Sequence, residues 1–210
     1  GGLLPADAVH RHGGAVGGSV FFDQGYLGAS VSQVLSGYGS VAEDDVGIDL
    51  NATRYALAGE WRWPRGILRA LRIQASHSDY RHTEREAGVP GTEFKVRGTE
   101  VRLEARHASL AGFEGVVGLQ SDRSRFSAVG DEAFAPPSRT GQAALFVHEE
   151  LPTRWGKVTL GARAERVTVD AFGVAEVPRF TPASRSFGPR SAALGAQWKL
   201  SPAWQLTANL

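Results

Sequence analysis

The 210 residues carry six His and 22 Asp or Glu but no Cys, so any metal site must use imidazole and carboxylate rather than thiolate. His10-Arg11-His12 offers one pair, whose imidazoles on an extended strand share a face about 7 Å apart and need a bend to reach one ion. His82 lies in Tyr80-Arg81-His82-Thr83-Glu84, where it could touch a substrate or stand as a solvated loop residue. Adjacent Glu149 and Glu150 would send one carboxylate to each face of a strand. Leu145 and Val147 share parity with Glu149, while Phe146 and His148 share it with Glu150, so alternation leaves both orientations open. His77, His107 and His148 fall within or near strand ends and are not candidate ligands. No Gly-x-Ser-x-Gly turn, phosphate-cradling glycine loop or His-Glu-x-x-His helix occurs. No catalytic residue is assigned, an enzyme is not expected, and no cofactor is called for.

The elements that must position these side chains read as strands. In Glu100-Val101-Arg102-Leu103-Glu104-Ala105-Arg106 every odd position is apolar and every even one charged. A period of two sends those sets to opposite faces of a sheet, whereas a helix would scatter them around its cylinder. Weaker alternation marks 55–63, 158–163 and 192–200, and further strands are expected near 14–22, 26–35, 67–80, 113–123 and 142–150. That makes about ten in an up-and-down series. Short connections at Asp23-Gln24-Gly25, Pro64-Arg65-Gly66, Leu110-Ala111-Gly112, Pro152 to Gly156 and Ser201-Pro202-Ala203 alternate with long ones at about 36–46, 82–95, 124–140 and 170–189. Outer-membrane barrels show that asymmetry, with tight periplasmic turns and longer extracellular loops. All five Trp stand beside short turns: Trp61, Trp63, Trp155, Trp198 and Trp204. Such clustering fits an interfacial aromatic girdle.

Composition agrees. Hydrophobic residues make up 42% and the mean hydropathy is -0.21, with no apolar run near the roughly 20 residues of a membrane helix. A formal charge of +1 without long like-charge blocks argues against a nucleic-acid partner. The fold expected is all-β, a partial antiparallel up-and-down transmembrane barrel whose isolated strands form a curved open sheet. No signal segment precedes the first strand-like run, the chain has no Met, and Leu206 to Leu210 reads as a strand cut in mid-course. The expectation is an internal fragment.

Several strings resemble TonB-dependent outer-membrane receptors, in particular the zinc-uptake branch. They are Ser36-Gly37-Tyr38-Gly39 with Gly47-Ile48-Asp49-Leu50 and Thr53-Arg54-Tyr55; Ser78-Asp79-Tyr80-Arg81-His82-Thr83-Glu84; Gly91-Thr92-Glu93-Phe94; Phe126-Ser127-Ala128 with Asp131-Glu132-Ala133-Phe134-Ala135-Pro136-Pro137; Phe146 with Glu149-Glu150; and Gly161-Ala162-Arg163 with Glu165-Arg166-Val167. The resemblance implies that residues 1–210 are part of a 22-stranded receptor barrel in the outer membrane, the plug domain and remaining strands lying elsewhere. It implies active uptake of a metal ion or metal chelate, energised by the TonB complex through the plug, with barrel lipid as the other partner. It makes Glu149 the better candidate for a lumenal carboxylate near substrate. In the zinc branch a His- and Asp-rich loop stands where this chain has Ser40 to Val46, which holds Glu43-Asp44-Asp45 and no His. Zinc, a ferric siderophore and a cobalamin-like chelate therefore all stay open, and a passive porin-like channel is the alternative function. Lumen-parity charges Glu100, Arg102, Glu104, Arg106, Arg163 and Glu165 are read as wall rather than site.

Overall fold

The computed structural model describes residues 9–39, 46–131 and 133–210. They form β1 (His10–Phe22), β2 (Gly25–Gly39), β3 (Val46–Arg62), β4 (Leu68–Glu86), β5 (Val89–His107), β6 (Glu114–Val129), β7 (Ser138–Thr153), β8 (Gly156–Ala171), β9 (Ala183–Phe187), β10 (Arg190–Ser201) and β11 (Trp204–Asn209). All pairings are antiparallel in one open sheet with β1 and β11 at its edges. β9 and β10 both pair with β8, over 167–171 and 156–164. They are one strand interrupted at Gly188-Pro189, where proline has no N–H for the ladder, although the Pro189 carbonyl still accepts from the Glu165 amide at 3.0 Å. The sheet thus has the all-β, up-and-down, unclosed form that the alternation predicts.

Register sorts the side chains into two faces, because directly paired residues point the same way. One row across the sheet reads Val20, Leu27, Gly59, Ile73, Leu103, Leu119, Leu145, Ala164. The adjacent row on the opposite face contains Gln74, Arg102, Gln120, Ala144 and Glu165. A soluble sheet would bury the first row, yet Leu119 is 55% and Leu145 54% exposed. Buried apolar residues are few among those described, and Phe94, Ala128, Ala133 and Phe180 cluster at the long-loop end. This is a single layer with one oily surface and one polar surface, as a barrel wall requires.

Trp61 and Trp198 stand on the apolar face near the short turns. The row through Trp61 runs by Leu71, Ala105, Val117, Val147 and Ala162 to Ala192, and Trp198 lies six residues beyond Ala192 toward the turns. Setting both indoles at one membrane interface offsets the strands by about 20 Å over about 29 Å of sheet, a tilt of about 35°, within the range barrels adopt. Trp155 stacks on Trp198 with centroids 5.5 Å apart, and Phe22 packs on Trp61 at 4.9 Å.

The strands run further than alternation alone implies. The long connection expected over 82–95 is instead a two-residue hairpin, Ala87-Gly88, between β4 and β5, both residues having positive φ (48° and 80°). That conformation matches a type I′ turn, whose twist suits paired strands. β2 likewise continues to Gly39. The connections between β6 and β7 and between β8 and β9 remain long. The acidic loop Glu43-Asp44-Asp45 and Glu132 lie outside the described residues.

Candidate functional site

The polar face is held by a hydrogen-bonded ladder of alternating charge. Glu60 accepts from Arg62 at 2.5 Å and from Arg72 at 2.8 Å, and Arg72 approaches Glu104 at 3.9 Å. Arg102 donates twice to Glu104, at 2.9 and 2.7 Å, and once to Gln120 at 3.2 Å. Gln120 donates onward to Glu100 at 3.0 Å and accepts from Arg163 at 3.1 Å. Arg163 pairs with Glu165, which also accepts from Gln142. Arg62, Arg72, Arg102 and Arg163 thus each have a carboxylate within reach, so this ladder carries little net charge. The reading of Arg102, Glu104, Arg163 and Glu165 as wall agrees with these contacts. Phe146, the one large apolar side chain in this ladder, is buried, and the far edge of its ring occupies the space beside Gly118, its direct cross-strand partner. The Arg102 guanidinium caps its ring at 4.2 Å, a favourable cation–π arrangement.

At the long-loop end the same face changes character. His82 pairs across β4 and β5 with Phe94 and stacks on it, centroids 4.6 Å apart and planes 21° from parallel. Its Nδ1 lies 3.0 Å from the Tyr80 hydroxyl, and its Nε2 lies 4.0 Å from Glu84. Phe134, from the loop after β6, sits 5.9 Å from Phe94 and 6.3 Å from Phe126. Arg179, from the loop after β8, donates to the Ala133 carbonyl at 2.7 Å and so ties the two loops together. His82 stands beyond the apolar belt, outside the spanning part of its strand, and burial pushes its imidazole below the ordinary histidine value. Tyr80, His82, Glu84, Phe94 and Phe126 all share the polar face, making an aromatic mouth with one neutral imidazole and one carboxylate.

The other candidates fall elsewhere. Glu149 does not face the polar side. It pairs with Gly115 and Leu160 on the apolar face, close to the short turns, where His107 Nε2 meets its carboxylate at 2.9 and 3.1 Å. That pairing corrects the expectation of a lumenal Glu149. The partner was hidden because His107 shares the outward parity of Val101 to Ala105, and only register brings it beside Glu149. Glu150 is the inward member, bonded to Lys157 at 2.7 Å. His10 and His12 are exposed on the apolar-face parity of β1, opposite Gly37 and Leu35. Among the described residues no three His, Asp or Glu side chains converge as a metal cage.

The model of the TonB dependent receptor-like β-barrel matches residues 5–210, almost the whole chain. The chain belongs to that family. A solved structure named copper transporter OprC superposes with a TM-score of 0.82 at 12% identity, over 97% of this chain and 36% of that one. At that identity the likeness is one of fold, and the chain spans about a third of that transporter's length. In a receptor barrel the polar face is lumenal and the apolar face meets lipid, so the mouth around His82 opens on the lumen, and the His107–Glu149 pair sits outside at an interface.

Proposed function

We propose that these residues form part of the wall and mouth of an outer-membrane receptor that takes up a metal, bound in a chelate, by active transport energised through TonB. Plug, TonB-contacting segment and remaining strands would come from sequence outside residues 1–210. The observation that carries the substrate class is the mouth. It offers ring faces at Phe94, Phe126 and Phe134 and a neutral imidazole at His82, but the described residues bring no third His, Asp or Glu to His82 and Glu84. A bare ion needs several protein donors, whereas a chelate brings its own and asks mainly for stacking and shape. Copper is the cargo named for the neighbour of like fold. With no Met and no Cys here, soft thioether or thiolate ligation of Cu(I) would have to come from elsewhere in the protein. A zinc chelate or a ferric siderophore suits the mouth as well.

Uptake of radiolabelled zinc, copper and ferric siderophore by cells producing the full-length receptor tests this reading, with and without TonB and with a proton uncoupler. Active transport predicts accumulation of one substrate that stops when TonB or the proton gradient is removed. Entry that continues without either would identify a passive channel instead. His82→Ala and Phe94→Ala should each raise the half-saturating concentration several-fold, leaving the amount of receptor in the membrane unchanged.

A further inference from the structure

The tryptophan line of the apolar face has a counterpart at the other end. Descending one residue per strand from Trp61 to Trp198, the line reaches the height of His107 on β5 and, on the polar side of their strands, of Glu114 on β6 and Lys157 on β8. Eight to ten residues up the same strands, on the lipid-facing parity, stand Arg97 on β5, Arg123 on β6, Arg166 on β8 and Arg190 on β10. At about 3.3 Å per residue and about 35° of tilt, the two lines lie about 22–27 Å apart, the height of a barrel's apolar band. The arginines therefore mark the long-loop interface as the tryptophans mark the short-turn one.

All four are exposed. Arg97 donates to Asp79 at 2.8 Å, whereas Arg123, Arg166 and Arg190 have no carboxylate partner among the described residues. On the lumenal face of the same strands, by contrast, Arg102 and Arg163 are matched by Glu104 and Glu165. Arg166 and Arg190 also rim a shallow groove floored by Leu103, Leu119, Leu145 and Ala164. Unmatched guanidiniums above an oily groove fit a ligand with phosphate above and acyl chain below, since guanidinium binds phosphate through paired N–H donors.

We propose that Arg97, Arg123, Arg166 and Arg190 form a binding row for a phosphorylated glycolipid of the outer leaflet, its phosphates on the arginines and one acyl chain in the groove below Arg166 and Arg190. The row rests on the outer-membrane reading above. Its test uses the purified full-length receptor in neutral detergent, titrated with diphosphoryl lipid A, with the same lipid stripped of phosphate, and with inorganic phosphate, while native mass spectrometry counts bound molecules. Lipid A should bind at least tenfold more tightly than its dephosphorylated form, and inorganic phosphate should neither bind nor compete at equal concentration. The R97Q/R123Q/R166Q/R190Q variant should lose that preference. Should the quadruple variant fold poorly, R166Q/R190Q alone should lower it several-fold, and the comparison of the two lipids on the unaltered receptor needs no variant. Equal binding of the two lipids, or an unchanged preference in a folded variant, would overturn the row. Equal competition by inorganic phosphate would overturn the lipid assignment. A full-length protein recovered from cells without detergent would overturn the membrane reading itself, a result distinct from a detergent-requiring receptor that ignores phosphate.

Discussion

The two faces of the strands from β3 to β8 are built on opposite rules. On the lumenal face the charged ladder is defined by its partners: Arg102 needs Glu104, Gln120 and the ring of Phe146, and Gln120 joins Glu100 to Arg163. On the lipid face the belt is held by no such ladder, and Leu103, Leu119 and Leu145, side by side across three strands, are interchangeable in kind. Solvent explains the difference. Acyl chains accept any apolar group but leave a charge unsatisfied, whereas wet lumen tolerates charges provided that neighbours do not repel. Identity thus matters pair by pair on one face and only by polarity on the other.

The sharpest way to break this contrast is to move a charge by one residue. Leu103→Arg places a guanidinium in the middle of the lipid belt and should destabilise the receptor by about 2–4 kcal/mol, read by denaturant titration of the full-length protein folded into vesicles. Ser76→Arg, on the lumenal face one strand away, should change stability by less than about 1 kcal/mol. Equal losses would mean that both faces meet the same medium.

The next perturbation acts on lumenal packing. A Cβ at Gly118 would collide with the Phe146 ring, so Gly118→Val should cost about 1–3 kcal/mol through overpacking. Phe146→Leu should recover part of that loss when combined with it. Failure to recover would show that the ring is not what the valine displaces.

Smaller again is the charge ladder. Arg102→Met removes two bonds from Glu104, leaving only Arg72 at 3.9 Å, and uncovers Phe146. The partly exposed setting limits the loss to about 1–2 kcal/mol. A double-mutant cycle between Arg102→Met and Phe146→Leu should give a coupling of about 0.5–1 kcal/mol if the ring contact matters.

The lipid face was almost fully legible in the sequence, because alternation at 100–106 depends only on the polarity rule of that face. The partners on either face were not. Phe94 beside His82 depends on a register shift. The hairpin at Ala87-Gly88 pairs Glu86 with Val89, yet beyond the irregularity between Thr83 and Arg85 the pairing is Thr83 with Glu93 and His82 with Phe94. Carrying the turn's register straight through would set Glu93 opposite His82 and reverse the faces, since a one-residue slip flips every side chain. Nothing in Val89-Pro90-Gly91-Thr92 states where the extra residue goes. The face of Glu149 was illegible for a different reason: its register is regular, but parity could not choose between neighbours, and the His107 that pairs with it lies two strands away.

The hairpin itself supplies the smallest and most local test. Both φ-positive pairs end in glycine, Ala87-Gly88 at the long-loop end and Ala111-Gly112 at the short-turn end, with Ala87 at φ 48° and Ala111 at φ 52°. Alanine is strained in that conformation, whereas asparagine tolerates it and favours type I′ turns. Ala87→Asn and Ala111→Asn should therefore each stabilise the folded receptor, by about 0.5–1 kcal/mol. The gain should be similar at both ends, because the strain belongs to the backbone and not to whether lumen, lipid or headgroup lies nearby. A gain at Ala111 alone would mean that the β4–β5 hairpin does not hold its tight turn, and with it the register that sets Phe94 against His82 would have to be redrawn.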